Sequence, residues 1–416
     1  MRIFKFGGAS IKDADGVKNL VKVLRTVGHD KTLVVISAMG KTTNAIEVVI
    51  DNYFNNNKEL QSSIQDVKKY HNGILLDLFE NENHAVFNII SNLFQDLSIF
   101  FDRNKSPDYN YVYDQVIGYG ELISTTIVST YLNEIGLKNN WLDVREFVKT
   151  DNYYRNAKVD WDATQDVISK KVNKKILNIT QGFLGSDANN FTTTLGREGS
   201  DYTAAIFAYC LNAESVTIWK DVPGVLNADP RYFENAQLLN QISYREAIEL
   251  AFYGASVIHP KTLQPLQRKE IPLYVKSFFN PKEDGTSVSK GQDLEPHVPC
   301  FIVKKDLVLI SLSSLDFSFI VEENISEIFN LLAKYKMKVD VIQNSAISFS
   351  VCTGNNYKNL KKLLQHLKAK FKVDFTENVS LYTIRHFDKK AIHGLEENKT
   401  ILLKQIFDQT VQIVTQ

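Results

Sequence analysis

"RIFKFGGASIKDADGVKNLVKVLRTVGHDKTLVVISAM" (residues 2–39) decides the fold class. "RIFKF" is β-prone and ends at the glycine pair Gly7 and Gly8. "DGVKNLVKVLRTV" then repeats apolar residues at helical spacing, and "KTLVVISAM" reads as a second, buried strand. A strand, a glycine turn, a helix and another buried strand point to a parallel sheet with helices on its faces.

Working outward, "TTNAIEVVIDNYF" is a second helix and "DNYFNNN" (51–57) a short Asn-rich bend. Residues 58–104 read as helix alone, with Ile64, Val67, Leu75, Leu76 and Phe79 as apolar positions, and form a helical insertion. The alternation resumes with the helix "GYGELISTTIVSTYLNEIG" (118–136), the strand "KKILNITQGFLGS", the helix "SDYTAAIFAYCLNA" and the strand "SVTIWKDVPGV". A helical stretch through "REAIELAFYGASVIHPKTLQPLQ" and the strand "IPLYVKSF" complete an α/β domain over 1–280. Polar, Gly- and Pro-rich residues make 281–299 a linker. Residues 300–376 then read β-α-β-β-α-β, an α+β ferredoxin-like unit. A second copy starts at 377 and stops half a unit short at 416.

The chain has 416 residues, 44% hydrophobic, with 48 basic and 48 acidic side chains. That balance argues against a dedicated nucleic-acid or polybasic membrane surface. Cys210, Cys300 and Cys352 form no CxxC pair, which points to reduced thiols with neither a disulfide frame nor a zinc site. No apolar run is long enough for a membrane span, and the N-terminus carries no signal-peptide core. A cytoplasmic protein is expected.

Several segments carry chemistry. "KFGGAS" (5–10) sets Lys5 at a strand end before Gly7 and Gly8, where backbone N–H groups and a cation can meet a phosphate. A tight turn with a surface lysine explains it equally well. "MGKTTN" (39–44) resembles the end of a phosphate loop, but Val35 stands where that motif needs glycine. Ser37 and Thr43 remain as hydroxyls at a strand's carboxyl end, where α/β sheets bind ligands. Glu121 sits early in its helix, either favoured by the helix dipole or binding an ammonium. Arg197, Ser200 and Asp201 lie in "TTTLGREGSDYTAA" (192–205), and Asp221 and Arg231 in "KDVPGVLNADPR" (220–231). His259, before a proline, reads as a structural partner rather than a catalyst.

The order of these motifs is more specific than any one of them. "KFGGAS", "SAMGKTTN", "GYGELIST", "ITQGFLGS", "TTTLGREGSDYTAA", "KDVPGVLNADPR" and "YGASVIHPKTL" resemble the aspartate kinases over residues 1–280, and paired ACT-like regulatory units follow. The resemblance implies an amino-acid-kinase-type three-layer αβα sandwich with a mostly parallel sheet. It implies transfer of the γ-phosphoryl of MgATP to the β-carboxylate of L-aspartate, the first step towards lysine, threonine and methionine. By the family pattern Lys5 stabilises the transferring group, Gly7 and Gly8 admit the phosphates, and Arg197 holds a carboxylate. Asp201 and Glu121 orient the ammonium and the site's cations, while Ser37, Thr43, Phe183 and Ser200 lie on the substrate side. Lys220, Asp221, Leu226 and Arg231 match nucleotide-side positions. ATP and Mg2+ are the implied cofactors, no resident metal ligands are readable, and a homodimer or higher homo-oligomer through the ACT region is expected.

The chain also departs from that pattern. Glu198 replaces a usual glycine, Lys220 a Thr or Ser, Leu226 a Tyr and Ser256 a Lys. Glu198 and Ser256 support an alternative reading, an impaired homologue acting as a regulatory or binding subunit. In the ACT-like region Ala346 stands where lysine-inhibited relatives carry glutamate, so lysine feedback is expected to be weak or absent, with Asp340 and Asn344 as remaining polar groups.

Overall fold

The computed structural model describes residues 1–255, 258–316, 318–397 and 399–416, without the side chain of Tyr357. Ser256, one of the departures above, therefore lies outside the described residues. The chain divides into two compact units. The first comprises Met1–Val225, Leu238–Ile248 and Val257–Leu294, and the second Leu226–Gln237, Glu249–Ser256 and Glu295–Gln416.

An eight-stranded sheet organises the first unit. Its strands are β1 (Arg2–Phe6), β2 (Thr32–Ile36), β3 (Asn139–Leu142) and β4 (Leu177–Gln181). A small hairpin of β5 (Leu184–Ser186) and β6 (Thr192–Thr194) precedes β7 (Ser215–Lys220), β8 (Gln241–Ser243), β9 (Leu273–Ser277) and β10 (Thr286–Ser289). The order is β3-β4-β2-β1-β7-β9-β10-β8, and every neighbouring pair is parallel except β9 with β10. The βαβ alternation thus produced the mostly parallel sheet expected of it.

Period-two alternation decides which side chains meet which layer. Phe4 and Phe6 of β1 join Val34, Ile36 and Trp219 in a core that helices Ala14–Val27, Thr42–Asn55 and Tyr119–Glu134 cover with Leu20, Ile46 and Ile123. Lys5 points to the opposite face, where helix Gly199–Leu211 brings Asp201 to it. Residues 58–104 form two helices, Asn57–Leu78 and Ala85–Arg103, whose Ile64, Val67, Leu75, Ile90 and Phe94 extend the first core. Leu76 is exposed. Helix Ala14–Val27 starts at Asp13, whose carboxylate accepts from the Gly16 N–H at 2.8 Å, and stops at Gly28 with φ 81°.

The expected linker at 281–299 needs correction. Its residues 286–289 are β10, hydrogen-bonded to β9 and β8 inside the first sheet. Thr286 is buried because its hydroxyl donates to the Leu239 carbonyl (2.6 Å) and accepts from the Val225 N–H (2.8 Å). Polar composition hid a strand whose hydroxyls are used internally, and the change of unit falls after Leu294.

In the second unit six antiparallel strands form one sheet: β11 (Cys300–Ser313), β12 (Val339–Asn344), β13 (Ser348–Gly354), β14 (Lys372–Arg385), β15 (Ile401–Phe407) and β16 (Thr410–Thr415). The order is β12-β13-β11-β14-β16-β15. The expected division at 376/377 falls inside β14, which runs unbroken through both halves. The first half of β11, Cys300–Lys304, pairs with Arg385–Leu381, so the later half-unit borrows a strand that the sequence reading gave to the earlier one. Helices Glu322–Lys334 and Tyr357–Leu367 cover one face over Val308, Ile310 and Phe349. Among the described residues no helix is long and apolar enough to cross a membrane.

Candidate active site

A cavity of about 470 Å³ opens in the first unit, lined by residues at the carboxyl ends of β1, β2 and β7 and at the start of helix Gly199–Leu211. Its wall comprises Lys5, Ser37, Thr43, Tyr113, Glu121, Arg155, Phe183, Thr194, residues 196–201 and Lys220. Ligands of open α/β sheets bind at this end, outside the strands' carboxyl termini.

Lys5 and Asp201 form an ion pair at 2.6 Å, with side chains 12% and 4% exposed. β1 supplies the ammonium and the first turn of the helix supplies the carboxylate, so two rigid elements fix the charge. Lys5 is thereby held facing the cavity as a positioned cation.

Glu121 is buried at 3% exposure, and its Oε2 has no hydrogen-bond partner. Burial pushes its carboxyl up to about 8, against the smaller opposing pull of its own N–H and that of Ala38. At neutral pH the group is therefore mostly protonated, and an incoming cation would ionise it.

The 194–200 turn is shaped by close contacts. A Cβ on Gly199 would meet Phe183 at 2.6 Å, and one on Gly182 would meet Ser200 at 2.4 Å. Phe183 has φ 71° and donates its N–H to the Thr203 hydroxyl at 2.9 Å. Glu198 occupies the helix N-cap in the left-handed region, with φ 54°. It does not point away: its Oε2 is buried in the cavity wall and unpartnered.

Three lining residues escaped the sequence reading: Tyr113, Arg155 and Thr194. Asp114 links them. Its carboxylate accepts from the Arg155 N–H (3.0 and 3.1 Å), the Thr194 N–H (2.8 Å) and the Thr194 hydroxyl (2.9 Å). Burial lifts Asp114 to about 6 despite those donors. The Arg155 guanidinium lies 4.4 Å above the Tyr113 ring.

Of the residues singled out from sequence, Lys5, Ser37, Thr43, Glu121, Phe183, Arg197, Ser200, Asp201 and Lys220 share this wall. Gly7, Gly8 and Asp221 do not line it, and Leu226 and Arg231 belong to the second unit. Gly8 has another reason to be glycine: a Cβ would lie 2.6 Å from the Ala38 carbonyl and 2.8 Å from that of Gly40. Arg231 is exposed and forks onto Asp229 at 2.5 Å. His259 caps helix Pro260–Arg268 by accepting from the Lys261 N–H at 3.1 Å, the structural role expected of it. In the second unit Asp340, 8% exposed, is paired with Lys304 at 2.6 Å.

Four cations and three carboxylates line the cavity, and one of the carboxylates is mostly neutral at pH 7. The site can hold anions beside a fixed lysine and a cation beside Glu121. Among the described residues no group of three or more metal-ligating side chains is present.

Residues 1–277 match the model of the amino acid kinase family. The chain is 30% identical over 394 residues to the lysine-sensitive aspartokinase 3 of Escherichia coli (strain K12), covering 92% of this chain and 86% of that protein. Its fold matches E. coli aspartokinase III in complex with lysine and aspartate, with TM-score 0.84, 28% identity and coverage of 100% and 95%. The same enzyme in complex with aspartate and ADP gives TM-score 0.81, 27% identity and coverage of 100% and 96%. With the family model spanning most of its length and an aspartokinase matching nearly all of it, the chain belongs to the amino acid kinase family as an aspartate kinase with a C-terminal regulatory sheet.

Proposed function

We propose that the cavity brings the β-carboxylate of L-aspartate in line with the γ-phosphate of MgATP, and that the work is positioning and charge neutralisation. The nucleophile needs no general base, because a free aspartate carboxylate with a pKa of about 4 is already ionised at pH 7. What must be overcome is the approach of two anions and the charge that spreads over the transferring phosphoryl oxygens. Lys5, steadied by Asp201, meets that charge. Glu121 takes the substrate ammonium, Arg197 a carboxylate, and Ser37, Thr43, Phe183 and Ser200 shape the pocket around them. Lys220 is the nucleotide-side cation of the cavity, with Asp221 next to it in sequence. The assignment of Leu226 and Arg231 to the nucleotide rests on the family pattern alone. Magnesium enters on the nucleotide as part of the substrate, as it commonly does when bound through substrate phosphates.

The observation that carries this reading is the buried Lys5–Asp201 pair sharing a wall with Glu121. Steady-state kinetics test it. Arg197→Ala should raise the KM for aspartate while leaving that for ATP nearly unchanged, and Lys5→Ala should lower kcat. The opposite pattern would reverse the assignment. A homodimer through the second unit is part of the same proposal, supported by Leu315 at 68% and Phe319 at 70% exposure. Sedimentation of the full chain tests it, with a monomer at micromolar concentration as the contrary result.

A further inference from the structure

Three non-glycine residues of the cavity wall hold backbone conformations that favour glycine, and beside Phe183 at φ 71° the two charged ones are Arg155 at φ 68° and Glu198 at φ 54°. Such conformations cost free energy in other residues and persist where the surroundings enforce them. Both are enforced here. Asp114 clamps the Arg155 N–H and ties it to Thr194. The Glu198 carbonyl accepts from the Asp201 and Tyr202 N–H groups at 3.1 and 3.2 Å.

Their side chains are alike in another respect. Among the described residues the Arg155 guanidinium has ring contacts and lies near enough to the Asp114 carboxylate to feel its charge, but it makes no ion pair. The Glu198 Oε2 is buried with no hydrogen-bond partner. The cavity thus presents a fork for an anion and a carboxylate for a cation, neither of them in an ion pair among the described residues. A polyphosphate without its metal can complete only the fork. An α-amino dicarboxylate completes both, and it also relieves the cost of the buried, unpartnered Glu198 Oε2.

We propose that Arg155 and Glu198 form a second recognition pair for the aspartate zwitterion, Arg155 holding a carboxylate and Glu198 sharing the ammonium with Glu121. The proposal rests on the assignment of the cavity to aspartate and adds selectivity to it. Glu198 disfavours dicarboxylates that lack an ammonium, which Arg155 and Arg197 alone would accept.

The test is calorimetric binding of L-aspartate, succinate and ADP to the full chain as wild type, Arg155→Met and Glu198→Gln, with thermal melts to verify folding. Charged hydrogen bonds of this kind correspond to changes of about tenfold or more in Kd. Arg155→Met should weaken aspartate and succinate together by at least that factor. Glu198→Gln should weaken aspartate similarly while leaving or improving succinate, so that discrimination between the two collapses. ADP affinity should stay within about twofold, since neither group addresses the nucleotide. Arg155→Gly and Glu198→Gly suit the backbone and should reproduce both losses if the first variants fold poorly. Unchanged aspartate binding in the variants, or a change confined to ADP, would overturn the pair. Failure of the underlying assignment looks different: Glu121→Gln and Arg197→Ala would then also leave aspartate binding unchanged.

Discussion

Replacing Glu121 by glutamine should make the ligand-free enzyme more stable and less able to bind its substrate. Burial raises this carboxyl from an ordinary 4.5 to about 8. Between those values the folded protein holds a proton that the unfolded chain releases, so the wild type loses stability as pH rises through that window. At about 1.4 kcal/mol per pH unit, the full shift corresponds to about 5 kcal/mol above pH 8. Glutamine never ionises and escapes the loss. Thermal melts of wild type and variant without aspartate should nearly coincide at pH 5. They should separate progressively up to pH 8, with the variant higher by about 5–10 °C. Saturating aspartate should narrow the gap by stabilising the wild type, because the proposed contact with the substrate ammonium would make the ionised form favourable. Binding at pH 7 should release close to one proton in the wild type, measurable as a buffer-dependent calorimetric enthalpy, and none through this group in the variant. A separation that does not change with pH would refute the reasoning, since it would show that Glu121 carries the same charge in both states.

Lys5→Ala should lower kcat by about a thousandfold while aspartate still binds, and Asp201→Asn should lower it by about a hundredfold by freeing the lysine, both read from initial rates. Gly8→Ala should destabilise the protein by about 2–3 kcal/mol in thermal or urea unfolding, because its Cβ would collide with the Ala38 and Gly40 carbonyls rather than with a movable side chain. Lys304→Met should destabilise the second unit by about 3 kcal/mol, seen in its unfolding transition, by stranding the buried Asp340. With Asp340 already paired inside the chain, millimolar lysine should change the rate less than about twofold; strong inhibition would show that an effector uses other residues.

Local signals carried much of the molecule. Lys5, Ser37 and Lys220 are legible because strand ends and glycine turns announce the ligand-binding edge of a parallel sheet. Glu121, Arg197 and Asp201 are legible because charges sit at helix starts beside glycines. Arg155 was not, because nothing in "TDNYYRNAKVD" shows that Asp114, 41 residues earlier, grips its backbone and that of Thr194. β10 was missed because its threonine and serines look like linker, and only the distant Val225 and Leu239 backbone groups reveal their use. In the second unit a division by repeat length failed because β11 and β14, 14 residues each, run through both halves. What stayed hidden in each case was a pairing between residues far apart in the chain. Glu198 is a different case: its identity marked it as unusual, but only the structure shows its carboxylate turned into the cavity.

The most direct test of the account is the chemical identity of the product and its dependence on Lys5. With MgATP, L-aspartate and hydroxylamine, the wild type should form aspartyl β-hydroxamate in step with ADP. Lys5→Ala should form almost none while retaining calorimetric binding of aspartate. ADP release without hydroxamate, or undiminished hydroxamate formation by Lys5→Ala, would contradict it.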